Sequence, residues 1–173
     1  MERVELETEL ERHHADAFGW ALRCCHGSRM AAEDALQASY LKVLDGRARF
    51  GARSSFRTWL FGVIRRTAAE QHRSSKVSRL LPLYVLDGRR EGADSDIDPA
   101  TAIVRSESTR RLVAALDRLP PRQRDLLHLV FYQELTIREA AEVLGVSIGT
   151  ARTHYDRGKK RVRRLLEEGE HGA

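Results

Sequence analysis

The chain has 173 residues, enough for one domain or two small ones, and a formal net charge of +5 with a sequence pI near 9.6. No apolar run is long enough to cross a bilayer, and the acidic, polar start MERVELETELERHH is unlike a signal peptide, so a cytoplasmic protein is expected, without membrane insertion. The only two cysteines, Cys24 and Cys25, are adjacent and exclude a disulfide framework, which fits a reducing compartment.

In chain order, Glu2 to about Cys25 reads as one helix, with Leu6, Leu10, Ala17 and Leu22 on an apolar stripe. His26-Gly27-Ser28 breaks it. A second helix is expected from about Met30 to Leu44, with Ala35, Leu36, Tyr40, Val43 and Leu44 facing a core and Glu33, Asp34, Gln37 and Lys42 exposed. Asp45-Gly46 ends it, and an arginine-bearing loop, RARFGARSS, follows. Ser55 can cap a third helix, in which Phe56, Trp59, Leu60, Val63, Ile64, Thr67 and Ala68 repeat with the spacing of one buried face. Trp59 is best read as a core aromatic. Arg57, Arg65, Arg66 and Arg73 point elsewhere.

From Ser74 to Asp98 the periodicity dissolves into Gly, Pro, Ser and closely spaced acids, a linker with an rms span of roughly 25–30 Å if flexible. The apolar stretch Leu80 to Leu86 is too greasy for a pure spacer and is expected to dock on something. Asp98-Pro99 is a helix start, Ala100 to Arg118 a helix, and Pro120-Pro121 ends it and begins another. Leu126, Leu127, Val130 and Phe131 make the next apolar stripe.

Thr136 and Glu139 have capping-box spacing, and Gly145 supplies a left-handed stop. Ser147 caps a further helix after a tight turn. On that helix Ala151, Tyr155, Gly158, Val162 and Leu165 share one face, and Arg152, Thr153, Asp156, Arg157 and Lys160 share the other. An apolar back and a basic front suit a helix that packs on a domain and enters a DNA major groove. Residues 152–164 hold seven Lys/Arg against Asp156, and residues 47–79 hold nine against Glu70, so two nucleic-acid contacts are expected. Membrane-surface binding fits less well, because neither block carries a long exposed apolar face. The expected fold is all-α: residues 1–73 and 99–173 form two small helical domains joined by a linker over 74–98, the second domain being a helix-turn-helix.

Catalytic chemistry has no foothold. There is no glycine-rich phosphate loop and no H-E-x-x-H. Cys24-Cys25-His26, with His13 and His14 nearby, lacks metal-ligand spacing and is read as structural. His128 is read as a partly exposed side chain rather than a ligand. A non-enzyme without cofactors is expected.

Residues 119–166, beginning Leu-Pro-Pro-Arg and containing AAEVLGVS and Gly-Thr-Ala-Arg, closely resemble the C-terminal DNA-binding domain of bacterial RNA polymerase sigma factors of the extracytoplasmic-function type. AAEDALQASYLKVL, residues 31–44, resembles that family's polymerase-binding helix. SSFRTWLFGVIRRTAAEQHR, residues 54–73, resembles its promoter-melting and recognition helix. The resemblance implies a factor that binds core RNA polymerase through its beta and beta-prime subunits, directs it to promoter DNA, helps to melt the promoter and is controlled by an anti-sigma factor. It assigns Glu33, Asp34 and Gln37 to the polymerase clamp. It assigns Arg47, Arg49, Phe50, Arg53, Ser54, Ser55, Arg57, Trp59, Arg65, Arg66, His72 and Arg73 to melting and the −10 element. Arg152, Thr153, His154, Asp156, Arg157 and Lys160 are assigned to the −35 element. The acidic segment Asp94 to Asp98 would lie along the polymerase's RNA path. Asn is common in the family where this chain has Arg66, and Asp near Glu70, which leaves open whether Arg66 meets a base or a phosphate. Ala38 replaces a frequent acid, and Gly158 a common Ala. The alternative is a stand-alone helix-turn-helix regulator, which would bind duplex DNA tightly without polymerase.

Overall fold

The computed structural model describes residues 2–80 and 107–170. The expected linker from residue 81 onward, its acids at 94–98, the Asp98-Pro99 helix start and the first residues of the helix after it lie outside them. Every regular element among the described residues is helical. The chain divides into two compact units, the first carrying four helices and the second the rest.

In the first unit α1 (Arg3–Arg12) and α2 (His14–Cys24) replace the single helix expected from the periodicity. The break is one residue wide. His13 leaves helical geometry at φ −100°, ψ 8°, and its ring stacks on Phe56, with centroids 6.2 Å apart. The kink keeps Leu10 on α1 and Ala17, Trp20 and Ala21 on α2 all buried. Trp20 is fully buried and donates its indole N–H to the Phe61 carbonyl at 3.0 Å, so its one polar atom is satisfied in the core.

Helix α3 (Arg29–Leu44) is capped by Ser28, whose Oγ accepts from Ala31 N–H, and buries Ala35, Leu36 and Val43 as expected. Helix α4 (Phe56–Leu80) is capped by Ser55. Its buried face is the one read from the spacing, joined by Phe61. Trp59 is half-buried rather than enclosed. The helix runs on past Arg73 into the segment expected to begin the linker. Helix α4 packs on both α2 and α3, and α1 closes against α3.

In the second unit α5 (Glu107–Asp117) and α6 (Pro121–Leu127), with Pro121 in the first turn of α6, lead into a π-helical turn over His128–Tyr132. That turn corrects the apolar stripe. The wider winding puts Leu129 into the core and leaves Phe131 and Tyr132 62% and 72% exposed. Helix α7 (Ile137–Leu144) forms the capping box: Thr136 Oγ1 accepts from Glu139 N–H at 3.2 Å, and Glu139 accepts from Thr136 N–H at 2.8 Å. Gly145 stops it at φ 65°. Ser147 Oγ accepts from Thr150 N–H at 3.1 Å and starts α8 (Ile148–Glu170), which packs on α5, α6 and α7.

At Gly158 α8 passes close to α6. An added Cβ would sit 3.2 Å from Leu127 Cδ1 and 3.4 Å from Gln123 Cβ. The glycine therefore trades helix propensity for close helix approach.

Candidate nucleic-acid interface

Helix α8 presents one surface. Ala151 and Gly158 are buried, Tyr155, Val162 and Leu165 are half-buried, and Arg152, Thr153, Asp156, Arg157 and Lys160 are all exposed. The two faces follow from helical spacing alone, because the apolar positions must meet α6 and α7. Thr153 donates its hydroxyl back to the Gly149 carbonyl at 3.0 Å. His154 sits half-buried at the edge of the basic face, not on it. Beside this face the exposed Phe131 stacks on Tyr155 with centroids 5.8 Å apart, and Lys159 Nζ lies 5.1 Å over the same Tyr155 ring. Phe131 belongs to the apolar stripe expected after Pro121, and the π turn leaves it exposed.

The first unit builds its basic surface from three pieces of chain. The C-terminal half of α3, the loop after it and the middle of α4 enclose a groove of about 320 Å3. Arg47, Arg49 and Arg66 line it together with Trp59, Val63, Lys42, Thr67 and Glu70. Of these Arg47, Arg49, Trp59 and Arg66 were expected at a site. Lys42, Thr67 and Glu70 were not, and Lys42 was placed among exposed residues; in fact its side chain is only 26% exposed and pairs with Glu70. The pairing spans 28 positions of sequence, so no local pattern announces it.

The loop arginines are held loosely. Arg47 pairs with Asp45 at 2.9 Å, Arg49 donates to the Gly46 carbonyl at 3.3 Å, and Arg53 is exposed. Phe50 is half-buried against Phe56 and Trp59, with centroids 5.4 and 5.3 Å away, so the three rings form one aromatic cluster under the loop. Ser55 is committed to its cap. Ser54 lines a separate groove with Val4, Glu5, Glu9, Phe50 and Phe56.

Arg57 and His72, both expected at the −10 element, are among those that do not line this groove. Arg57 turns toward α2, pairs with Asp16 at 3.1 Å and lies over the Phe61 ring at 5.4 Å, so it ties α4 to α2. His72 borders another cavity with Cys24, Cys25, His26 and Asp34, its ring edge-on to His26 at 6.1 Å. Burial and then the nearby Asp34 carboxylate push the Cys25 thiol up. Among the described residues no group of three or more His, Cys, Asp and Glu side chains could hold a metal ion. Arg65 is half-buried, and Arg73 is exposed.

On α3, Glu33, Asp34 and Gln37 are all exposed, with Glu33 paired to Arg29 at 2.9 Å. Glu33 and Gln37 border a surface hollow with Phe18, Leu36, Tyr40 and Leu41, the last 49% exposed. Tyr40 accepts or donates a hydrogen bond with His14 Nδ1 at 3.2 Å, and burial pushes its phenol up to about 12.

Each of the two helical units carries a basic face, and each matches a known protein family. Residues 10–77 match sigma-70 region 2, and residues 109–162 match sigma-70 region 4. The chain is 33% identical over 136 residues to the ECF RNA polymerase sigma factor SigX of Bacillus subtilis, covering 78% of this chain and 70% of that one. It is 27% identical over 166 residues to the ECF RNA polymerase sigma factor SigM of Mycobacterium tuberculosis, covering 95% and 79%. The fold is that of the sigma factor RpoE solved with the anti-sigma factor NepR from Bartonella quintana, with a TM-score of 0.67 at 21% identity over 94% of this chain and 97% of that one. CnrH, solved with the cytosolic domain of CnrY, has a TM-score of 0.63 at 18% identity over 96% and 90%. The chain belongs to the extracytoplasmic-function RNA polymerase sigma factors.

Proposed function

We propose that this protein binds core RNA polymerase, carries it to promoters with particular −10 and −35 elements and assists their melting. The observation that carries the reading is the pair of unlike basic surfaces: a single helix face on α8 suited to duplex, and an aromatic-walled groove in the first unit suited to separated strands. Arg152 and Arg157 can reach guanine edges, and Lys160 meets phosphate. The groove offers arginines for the backbone and Trp59 for a base. Unstacking a base costs a few kcal/mol, which such contacts offset without ATP. Each half can bind weakly alone, since polymerase holds both and raises their effective concentration.

Asp34 and Gln37, on the exposed ridge of α3, serve as the polymerase contact, with beta-prime as the partner of α3. The complex of RpoE with the anti-sigma factor NepR supports an anti-sigma factor as a regulator here too. No helix among the described residues is long and apolar enough to cross a membrane, in keeping with work in the cytoplasm alongside polymerase.

The test is transcription by purified core polymerase on genomic DNA with and without the protein, mapping start sites. New starts sharing two sequence elements are expected only with both components present. Tight, specific binding to duplex promoter DNA by the protein alone, with no new starts, overturns the reading in favour of a stand-alone regulator.

A further inference from the structure

One carboxylate lies among the cations of the first unit's groove. Lys42, Arg47, Arg49 and Arg66 line it, and so does Glu70. Lys42 Nζ donates both to Thr67 Oγ1 at 3.1 Å and to Glu70 Oε2, so a lysine from α3 is bonded to two residues of α4. On α4 itself, Arg66 and Arg73 stand four residues before Glu70 and three after it, the spacings at which side chains on a helix are neighbours. The Lys42 hydrogen bond holds the Glu70 carboxyl below its usual range, with Arg73 and Arg66 adding to the effect, so it is ionised at neutral pH.

The two ends of the pair are held unequally. Thr67 is buried, and its hydroxyl holds Lys42 independently of Glu70. The Lys42 side chain is 26% exposed, whereas that of Glu70 is 53% exposed. Glu70 can therefore swing into water at the cost of one surface ion pair, while Lys42 stays at the groove on its Thr67 bond. The N–H that Glu70 gives up is then free for another charged acceptor, and a phosphate oxygen is a partner of the same kind as a carboxylate oxygen. The cation is fixed and the anion is releasable.

We propose that Glu70 is an internal competitor for the phosphates of the promoter strand: it neutralises Lys42, and partly Arg66 and Arg73, until a strand displaces it, and so holds down the groove's affinity for DNA of any sequence. The proposal rests on the sigma-factor function above and names residues to which that function assigned nothing. Phosphate contacts position a strand without reading it. Affinity withheld from them leaves a larger share of binding to the contacts that discriminate, so Glu70 favours selectivity by subtraction. Thr67 positions Lys42.

The experiment titrates the full chain with a fluorescent oligothymidine strand at a series of salt concentrations. Glu70→Gln should bind the strand roughly 2- to 5-fold more tightly than the wild type at low salt, the worth of one exposed ion pair. Its salt dependence should steepen by about 0.7 in log–log slope, one more phosphate on a single strand, because Lys42 then meets phosphate with no carboxylate to give up. Lys42→Met leaves the Glu70 charge without its lysine and should bind more weakly than the wild type. Glu7→Gln is the control for net charge: it removes the same charge and breaks an exposed ion pair with Arg3 on α1, and should move neither quantity as far. Glu70→Ala is a second neutral replacement, and thermal melting by circular dichroism reports whether each variant is folded. A mere brace between α3 and α4 would lose affinity by either change, so opposite signs for the Glu70 and Lys42 variants distinguish a competitor from a strut. A folded Glu70 variant that binds no more tightly than the wild type, or a Glu7→Gln gain of equal size, overturns the proposal while leaving the sigma function intact. Failure of the wild-type holoenzyme to initiate anywhere overturns the function itself.

Discussion

The two basic surfaces are built in opposite ways. The α8 face is a property of one helix: every exposed residue on it follows from the register that buries Ala151 and Gly158. The groove of the first unit exists only because α3, the loop and α4 converge, and its Lys42–Glu70 pair joins two helices. A surface drawn on one helix can change residue by residue without disturbing its neighbours. A surface assembled from three segments is tied to the packing beneath it. The difference suits the tasks proposed for them, since a rigid duplex asks for a fixed face and a distorted strand for an enclosure.

The comparison predicts that damage to the core will silence the two surfaces unequally. Trp20→Ala removes the largest fully buried side chain of the first unit and should cost that unit about 3–5 kcal/mol. Its thermal transition should fall steeply while the second unit's transition stays in place. A single transition that moves as a whole would show that the two units are not energetically separate.

Point changes on α8 should be smaller and sharper. Arg152→Ala or Arg157→Ala should each remove about 1–3 kcal/mol of discrimination at particular −35 bases. Lys160→Ala should weaken all promoters alike and lower the salt dependence of binding by about one phosphate contact. Transcription from a library randomised over the −35 element, at two salt concentrations, separates the outcomes. Unchanged base preferences in both arginine variants would move recognition off α8.

Gly158 tests how tightly that face is backed. Gly158→Ala gains about 1 kcal/mol of helix propensity and presses a methyl on the buried Leu127, so its net effect on stability should be close to zero. Gly158→Val should cost about 1–3 kcal/mol from overpacking. Denaturant unfolding measures both; a clear gain for the alanine would show that Leu127 yields.

The smallest effect concerns α3. Tyr40 should ionise near pH 12, against about 10 for a solvated phenol, and Tyr40→Phe should remove that late step from a near-ultraviolet absorbance titration. The folded phenol holds its proton longer than the unfolded one. Its contribution to stability is therefore complete below pH 10 and is lost as the pH rises from about 10 to 12.

Much of this molecule is decided locally and was legible in the chain. The capping box of Thr136 and Glu139, the stop at Gly145, the caps Ser55 and Ser147, and the buried faces of α4 and α8 depend on residues within a turn or two of each other. Local hydrogen bonds and helical period leave such positions few alternatives. Tertiary structure decided the rest. The kink at His13 lets α1 and α2 each reach the core, and its ring finds Phe56 from another helix. The π turn that exposes Phe131 adds a residue to the winding, which the apolar spacing does not encode. Arg57 meets Asp16 and Phe61, partners that its own helix does not announce. Lys42 joined the groove because Glu70, 28 positions away, lies opposite it. Each turns on which side chains packing brings face to face, a matter settled by the crossing of helices and not by the order of residues along any one of them.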